Sequence, residues 1–172
     1  AIRSAAQLKP LVIDESDATL DAFPRAVSLG YSGTSHKNCK GIFKSLANRA
    51  LMLHYLGQQK NLFMSAEDLQ NLPIVPLQQD LAMVSILGIT HCERNGHHYN
   101  RGLSMLSPAD KASVARHHRD LYEQRDGEWY LKVKDGQVRI NSLFAPGFAV
   151  RDEPDWQSMV ALRKWVDQRY PA

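Results

Sequence analysis

Short apolar runs alternate with longer stretches in which apolar side chains recur every three to four positions. Leu11-Val12-Ile13, introduced by Pro10, predicts a short buried parallel strand. Over 19–29, Leu20, Phe23 and Val27 share one face and Gly30 ends the pattern, which predicts a helix. Residues 31–35 predict a second, weak strand. The clearest helix covers 41–56, where Ile42, Leu46, Ala50, Leu53 and Leu56 follow the helical period until Gly57 stops it. The run NLFMS at 61–65 predicts a third strand, ending near Glu67 and Asp68. Beyond the Pro-marked loop NLPIVP, a helix over 77–87 turns Leu77, Leu81, Val84 and Leu87 inward, and Gly88 closes it. Ile89-Thr90 predicts a fourth short strand running into the polar segment HCERNGHHYNRG.

Strand–helix alternation of this kind argues for a parallel sheet or barrel. Four such units are half of an eight-unit α/β barrel. The pattern then changes. Ser107-Pro108 opens a helix by a serine cap with proline at its first position, predicted to run to about Gln124. Trp129, Leu131 and Val133 alternate with polar residues, Asp135-Gly136 makes a tight turn, and Val138 and Ile140 resume the alternation, which predicts a β-hairpin. LFAPGFAV bends at its Pro-Gly pair. A last helix starts near Pro154, with Trp156, Met159, Val160 and Trp165 expected toward a core, as is Trp129. The division expected is 1–106 for the alternating part and 107–172 for an α+β remainder.

Composition narrows the class. The chain has 172 residues, 44% hydrophobic and 23% charged, which is ordinary for a folded domain with a real core. The net charge of +3 comes from 21 basic and 18 acidic residues spread along the chain, with no basic stripe, so no nucleic-acid partner is expected. No apolar run reaches the roughly 18 residues that a membrane helix needs. Two cysteines, Cys39 and Cys92, make no disulfide framework, and with no signal peptide in view a cytoplasmic location is expected. The opening AIRSAAQLKP reads like the tail of a helix leading into a strand, the middle of something larger.

The candidate chemistry gathers at strand ends. The first strand stops abruptly at Asp14 and Glu15, and the second, one βα unit later, at His36 and Lys37. Carboxylates and a lysine at the C-terminal ends of successive parallel strands are what an α/β barrel uses to build a site on one face. Asp14 suits a hard cation such as Mg2+, which takes carboxylate oxygens; the competing role for Asp14, or for Asp17, is to cap the next helix. Glu15 points away from Asp14 in an extended chain and suits a supporting contact or a salt bridge to a lysine of the neighbouring strand. Lys37 serves as general acid or base if burial or a nearby cation lowers its pKa, and is otherwise a solvated lysine at a helix start. His36 suits a hydrogen bond to a substrate carboxylate or to a backbone carbonyl. Glu67 and Asp68 either face the site mouth or favour a helix N-terminus. His91, Cys92, Glu93, His97 and His98 lack the paired spacing of a zinc site; His97 and His98 suit contacts to a substrate anion.

Three segments together resemble the enolase superfamily, in its mandelate racemase and muconate lactonizing branch. PLVIDES is similar to that family's fifth barrel strand. SHKNCKGI is similar to the sixth-strand segment that ends in lysine and enters a helix through glycine. DGQVRINSLFAPGFAV is similar to the C-terminal run that returns to the cap domain. This chain departs from the pattern at Lys40-Gly41, where the family has two glycines, and at Ala149, where it has a second glycine; the site lysine is thus Lys37 or Lys40. The resemblance implies the last four strands of a (β/α)7β barrel followed by a small α+β segment. It implies Mg2+ held by carboxylates on three consecutive strands, of which Asp14 is the last, and a lysine acting on the proton α to a carboxylate. The implied substrate is a small carboxylic acid, with racemisation, cycloisomerisation or acid-sugar dehydration as outcomes. Partners would be the N-terminal half of the same enzyme or a second copy. The competing expectations are a non-catalytic barrel fragment or a small α/β binding domain, either folded through oligomerisation.

Overall fold

The computed structural model describes residues 2–58, 61–67, 72–93 and 101–170. It is mixed α/β and divides into two compact units, Ala1–Tyr99 and Asn100–Ala172. Residues 101–106, expected with the first part, fold with the second. Leu103 N donates to Trp129 O, and Leu103 and Leu106 are buried.

The first unit begins with α1 (Ile2–Leu8) and continues β1 (Val12–Ile13), α2 (Ala22–Leu29), β2 (Gly33–His36), α3 (Ile42–Leu56), β3 (Phe63–Glu67), α4 (Val75–Ile86) and β4 (Cys92–Glu93). The strands form one parallel sheet in the order β1-β2-β3-β4. Register pairs Ile13 with Thr34, His36 with Ala66, and Glu67 with Glu93. The sheet does not close among the described residues, so a barrel is not observed. β2 and β3 pass so closely at Gly33 that a Cβ there would lie 1.9 Å from Phe63 O.

α2 and α4 each end in the same stop. Gly30 (φ 105°) donates to Val27 O and Tyr31 N to Ala26 O; Gly88 (φ 66°) donates to Ser85 O and Ile89 N to Val84 O. This double bond around a left-handed glycine satisfies the last carbonyls of a helix. It also explains why the fourth strand is not Ile89-Thr90: Ile89 belongs to the helix stop and is buried in the core, and pairing starts at Cys92.

The core of this unit is formed by Phe23, Met52, Met64, Ala66, Met83, Leu87 and Ile89. The predicted inward faces of α2 and α4 largely hold at Phe23, Leu77 and Leu87, although Leu20 is exposed. α3 does not follow its prediction. Its buried residues are Lys44, Ser45, Asn48 and Met52, while Phe43, Leu46, Ala50, Leu53 and Leu56 face outward.

In the second unit α5 (Pro108–His117) has Ser107 as its cap, accepting from Asp110 N at 3.1 Å, with Pro108 in its first turn. It ends well short of Gln124. β5 (Tyr122–Arg125) pairs with β6 (Glu128–Leu131) across Asp126-Gly127, and β7 (Val133–Lys134) with β8 (Gln137–Val138) across Asp135-Gly136. Both turns carry positive φ at both central residues, the geometry that matches strand twist and favours Asp-Gly. The Trp129–Leu131 run therefore pairs backward, and only the tip of the expected hairpin forms around Asp135-Gly136. The last helix, α6 (Leu162–Arg169), is exposed throughout. Trp156 and Trp165 are 57% and 42% exposed, against the expectation that they are core, and Trp129 is half-buried.

Candidate functional site

The C-terminal ends of β1, β2 and β3 lie side by side, and three carboxylates meet one ammonium there. Lys37 directly follows β2 in extended conformation (φ −145°, ψ 133°). Its Nζ donates to Asp14 Oδ2 at 3.0 Å and to Glu15 Oε1 at 2.6 Å, and pairs with Glu67 Oε2 at 2.9 Å. Asp14 follows β1, and Glu67 is the last residue of β3. Lys40, from the 3-10 turn at Asn38–Lys40, holds the other side of Asp14. Its Nζ donates to Asp14 Oδ1 at 2.5 Å and to Asp14 O at 2.7 Å. Both lysines thus belong to the cluster, and Lys37 is the one that reaches all three carboxylates.

Glu15 was expected to point away from Asp14. It reaches the same ammonium because the chain leaves the extended form after Ile13: Asp17 N donates to Asp14 O at 2.9 Å, closing a turn. The expected salt bridge to the neighbouring strand's lysine is made. Neither Asp14 nor Asp17 caps α2, whose first residue is preceded by Asp21.

Electrostatics reverse one expectation. Lys37 is 4% exposed, and burial alone would lower its pKa. The hydrogen bonds to Glu15, Glu67 and Asp14 outweigh burial and raise it above the ordinary lysine value. Lys37 is therefore a firmly held ammonium and a hydrogen-bond donor; the lowered pKa on which its general acid or base role was made to depend is not what these surroundings produce. Burial would likewise raise Asp14, but the ammonium groups of Lys40 and Lys37 prevail and hold it below the ordinary carboxylate value.

His36 lies on the opposite face of the chain from Lys37. Its Nδ1 is hydrogen bonded to Ser45 Oγ of α3 at 2.7 Å. Its Nε2 is buried with no hydrogen-bond partner. It lines a recess with Glu67, Asp80, Leu81, Val84 and Cys92 that is too narrow to hold a water molecule. Desolvation lowers its pKa to about 4, opposed by the Asn38 side chain and aided by the charges of Lys40 and Lys44, so the ring is neutral near neutral pH. It shares that recess with Glu67, the carboxylate at the end of β3 that pairs with Lys37. Asp68, His97 and His98 lie outside the described residues.

Sequence reasoning missed a buried network beside the mouth. Asp17, Thr34, Lys44 and Asn48 are all buried. Asp17 Oδ2 accepts from Thr34 Oγ1 at 2.9 Å and from Asn48 Nδ2 at 3.0 Å, and Lys44 Nζ lies 3.4 Å from Asp17 Oδ1 and donates to Asp17 O. The signal was the polar stripe Lys44, Ser45, Asn48 on α3, opposite the apolar stripe.

Asp14 offers the donor type that Mg2+ takes, but both its oxygens are engaged by lysines. Among the described residues no three His, Cys, Asp or Glu side chains are placed to hold a metal ion. The carboxylates that do converge meet on an ammonium. These residues by themselves do not fit a Mg2+ ion.

In the second unit Ser113, His117 and Asp152 have the residue types of a nucleophile–base–acid set but not its wiring. Ser113 Oγ donates to Asp152 Oδ2, and His117 Nδ1 pairs with the same oxygen at 2.5 Å. A triad needs the serine on one ring nitrogen and the acid on the other.

No helix among the described residues is long and apolar enough to cross a membrane. Compared with protein-family models, with curated proteins and with solved structures, the chain matches none.

Proposed function

We propose that this chain is the C-terminal half of the barrel, with its following α+β segment, of an enolase-superfamily enzyme of the mandelate racemase and muconate lactonizing branch. The reaction is removal of the proton α to the carboxylate of a small acid, followed by reprotonation or loss of a leaving group. One observation carries the reading: an ammonium, Lys37 Nζ, sits within 3.0 Å of carboxylates from the ends of the two flanking parallel strands.

In the arrangement observed, Lys37 holds its proton and acts as a fixed positive charge and hydrogen-bond donor, suited to stabilising developing negative charge on an enolate oxygen. It would become a base only if Glu15, Glu67 and Asp14 were drawn away from it, because these carboxylates are what keep its proton on. Lys40 holds Asp14 oriented. Glu15 and Glu67 act through Lys37, and His36, neutral and buried, braces β2 against α3. By the resemblance, Mg2+ would be held by Asp14 together with carboxylates on barrel strands outside this chain, in the N-terminal half of the same enzyme. Location in the cytoplasm is part of the same reading.

Mn2+, a paramagnetic stand-in that favours the same oxygen ligands, tests the site. It is expected to broaden backbone resonances around Asp14, Lys37 and Glu67 weakly, and Asp14→Asn is expected to abolish the effect. The reaction is tested by following loss of the α-proton of hydroxy acids and sugar acids in deuterated water, using the longest protein that contains this sequence. Lys37→Met should stop that exchange. Broadening elsewhere only, or exchange indifferent to Lys37→Met, would refute the proposal.

A second reading, a non-catalytic barrel fragment that oligomerises, is favoured by the outward apolar stripe of α3, with Phe43 87% exposed. Concentration-dependent sedimentation abolished by Phe43→Ser, with no Mn2+ effect at the mouth, would support it instead.

A further inference from the structure

We propose that Asp17 is the positioning residue of the mouth: held by Thr34, Lys44 and Asn48, it fixes the turn on which Asp14 and Glu15 reach Lys37. The proposal rests on taking the Asp14–Lys37 cluster as the site.

The turn has two ends with different jobs. Its first residue, Asp14, and its second, Glu15, carry the carboxylates that meet the ammonium. Its last, Asp17, is 3% exposed and points into the layer between β2 and α3. The two ends are tied by Asp17 N donating to Asp14 O at 2.9 Å. Donors come to Asp17 from two separate elements: Thr34 Oγ1 from β2, and Asn48 Nδ2 and Lys44 Nζ from α3. Lys44 also grips the Asp17 backbone carbonyl, so both side chain and main chain of the turn are clamped.

Two local rules are broken to build this clamp. Lys44 lies in the first turn of α3, where a cation opposes the helix dipole, and it is buried. Asn48 keeps its Nδ2 on Asp17 while its own Oδ1 is buried without a partner. Apolar side chains of similar volume commonly stabilise as well as a buried ion pair or better. An imperfect polar clamp at this place is explained by what it holds. Where local rules fail together, a functional constraint is the expected cause.

The test uses the whole chain in Mg2+-free, mildly acidic buffer. The readout is the set of 1H–15N correlations of the lysine ammonium groups, with Lys37 and Lys40 assigned by Lys37→Arg and Lys40→Arg. In the parent chain both groups give distinct, slowly exchanging signals. The paired variant Asp17→Ala with Lys44→Met removes every side-chain contact of the clamp without leaving an unpaired buried charge. It should lose the Lys37 signal to the position of solvated lysines while the amide spectrum stays folded. Thr34→Val, which removes one donor, decides the question by the same signal if the paired variant does not fold. Met83→Ala, a core truncation in the same unit, is the control for lost stability and should keep the signal. Retention of the Lys37 signal in the clamp variants overturns the proposal, and so does its loss in Met83→Ala. Because Mg2+ and substrate are absent, failure here is distinct from failure of the enzymatic reading, which Mn2+ broadening and α-proton exchange address.

Discussion

His36 makes the first unit acid-sensitive by a calculable amount. The ring is 3% exposed, bonded through Nδ1 to Ser45 Oγ, and has a pKa of about 4 in place of 6.5. Between these values the unfolded imidazole binds a proton and the folded one does not. The unfolded state is therefore favoured as pH falls: stability is highest above about 6.5, declines through the window, and levels off below about 4. At about 1.4 kcal/mol per pH unit, that gap corresponds to about 3 kcal/mol. All three tryptophans lie at 129 or beyond, so tryptophan fluorescence does not report this unit. Amide hydrogen exchange around Met52 in α3 does, because that residue sits in the same core. After correction for intrinsic exchange rates, the opening free energy of those amides should fall by about 3 kcal/mol more in the parent chain than in His36→Gln over the same pH range. Gln keeps a polar partner for Ser45 but does not titrate, so subtraction removes the contributions of Asp14 and other carboxylates. Equal losses in the two proteins would refute a buried neutral His36.

Other expectations follow from the same geometry. Glu67, 16% exposed, is the most buried carboxylate on Lys37, and Glu15 is 82% exposed. Glu67→Gln should therefore cost about 1–3 kcal/mol, and Glu15→Gln less than about 1, by hydrogen exchange or denaturant titration. The raised pKa of Lys37 adds stability that is fully present below the ordinary lysine value and is lost as pH rises through the higher folded value. Thermal melts followed by circular dichroism in alkaline buffer should show that loss in the parent and not in Lys37→Met. Gly33→Ala, which sets a methyl 1.9 Å from Phe63 O, should cost about 2 kcal/mol or more and separate β2 from β3. Phe43→Ser should leave stability within about 0.5 kcal/mol, as an exposed position would; a loss of several kcal/mol would mean that α3 packs the other way round.

The parts of the fold that depend on local chemistry were legible. Gly30 and Gly88 stop helices because glycine alone tolerates their left-handed backbone easily, and the sequence places them where the apolar period ends. Asp14, Glu15 and Lys37 were legible as a group because short buried runs end abruptly in charge. The pairing of residues 122–131 was not. Asp126-Gly127 and Asp135-Gly136 carry the same turn signal, and nothing local says which of two candidate turns a central strand folds back across. The direction of the Lys37 pKa was also hidden. It depends on three carboxylates from different parts of the chain reaching one atom, which spacing along the sequence does not reveal.

The outward apolar stripe of α3 and the buried network at Asp17 have a single cause. A helical stripe predicts the core-facing side only if the surface beneath it is apolar. α3 covers two different surfaces. Toward β3 it meets Met64 and Ala66, and there Met52 goes in. Toward β2 it meets Thr34 and His36, both buried and polar, whose hydrogen-bonding groups need partners once water is excluded. Ser45 answers His36, and Asn48 and Lys44 answer the Asp17 that Thr34 binds. Turning Leu46 and Leu53 inward would strand those groups, and each would cost about 1–3 kcal/mol unpaired. That exceeds what a half-exposed leucine loses by facing water, so the polar side goes in. The same strand that carries Lys37 to the mouth thereby dictates which face of the covering helix it accepts.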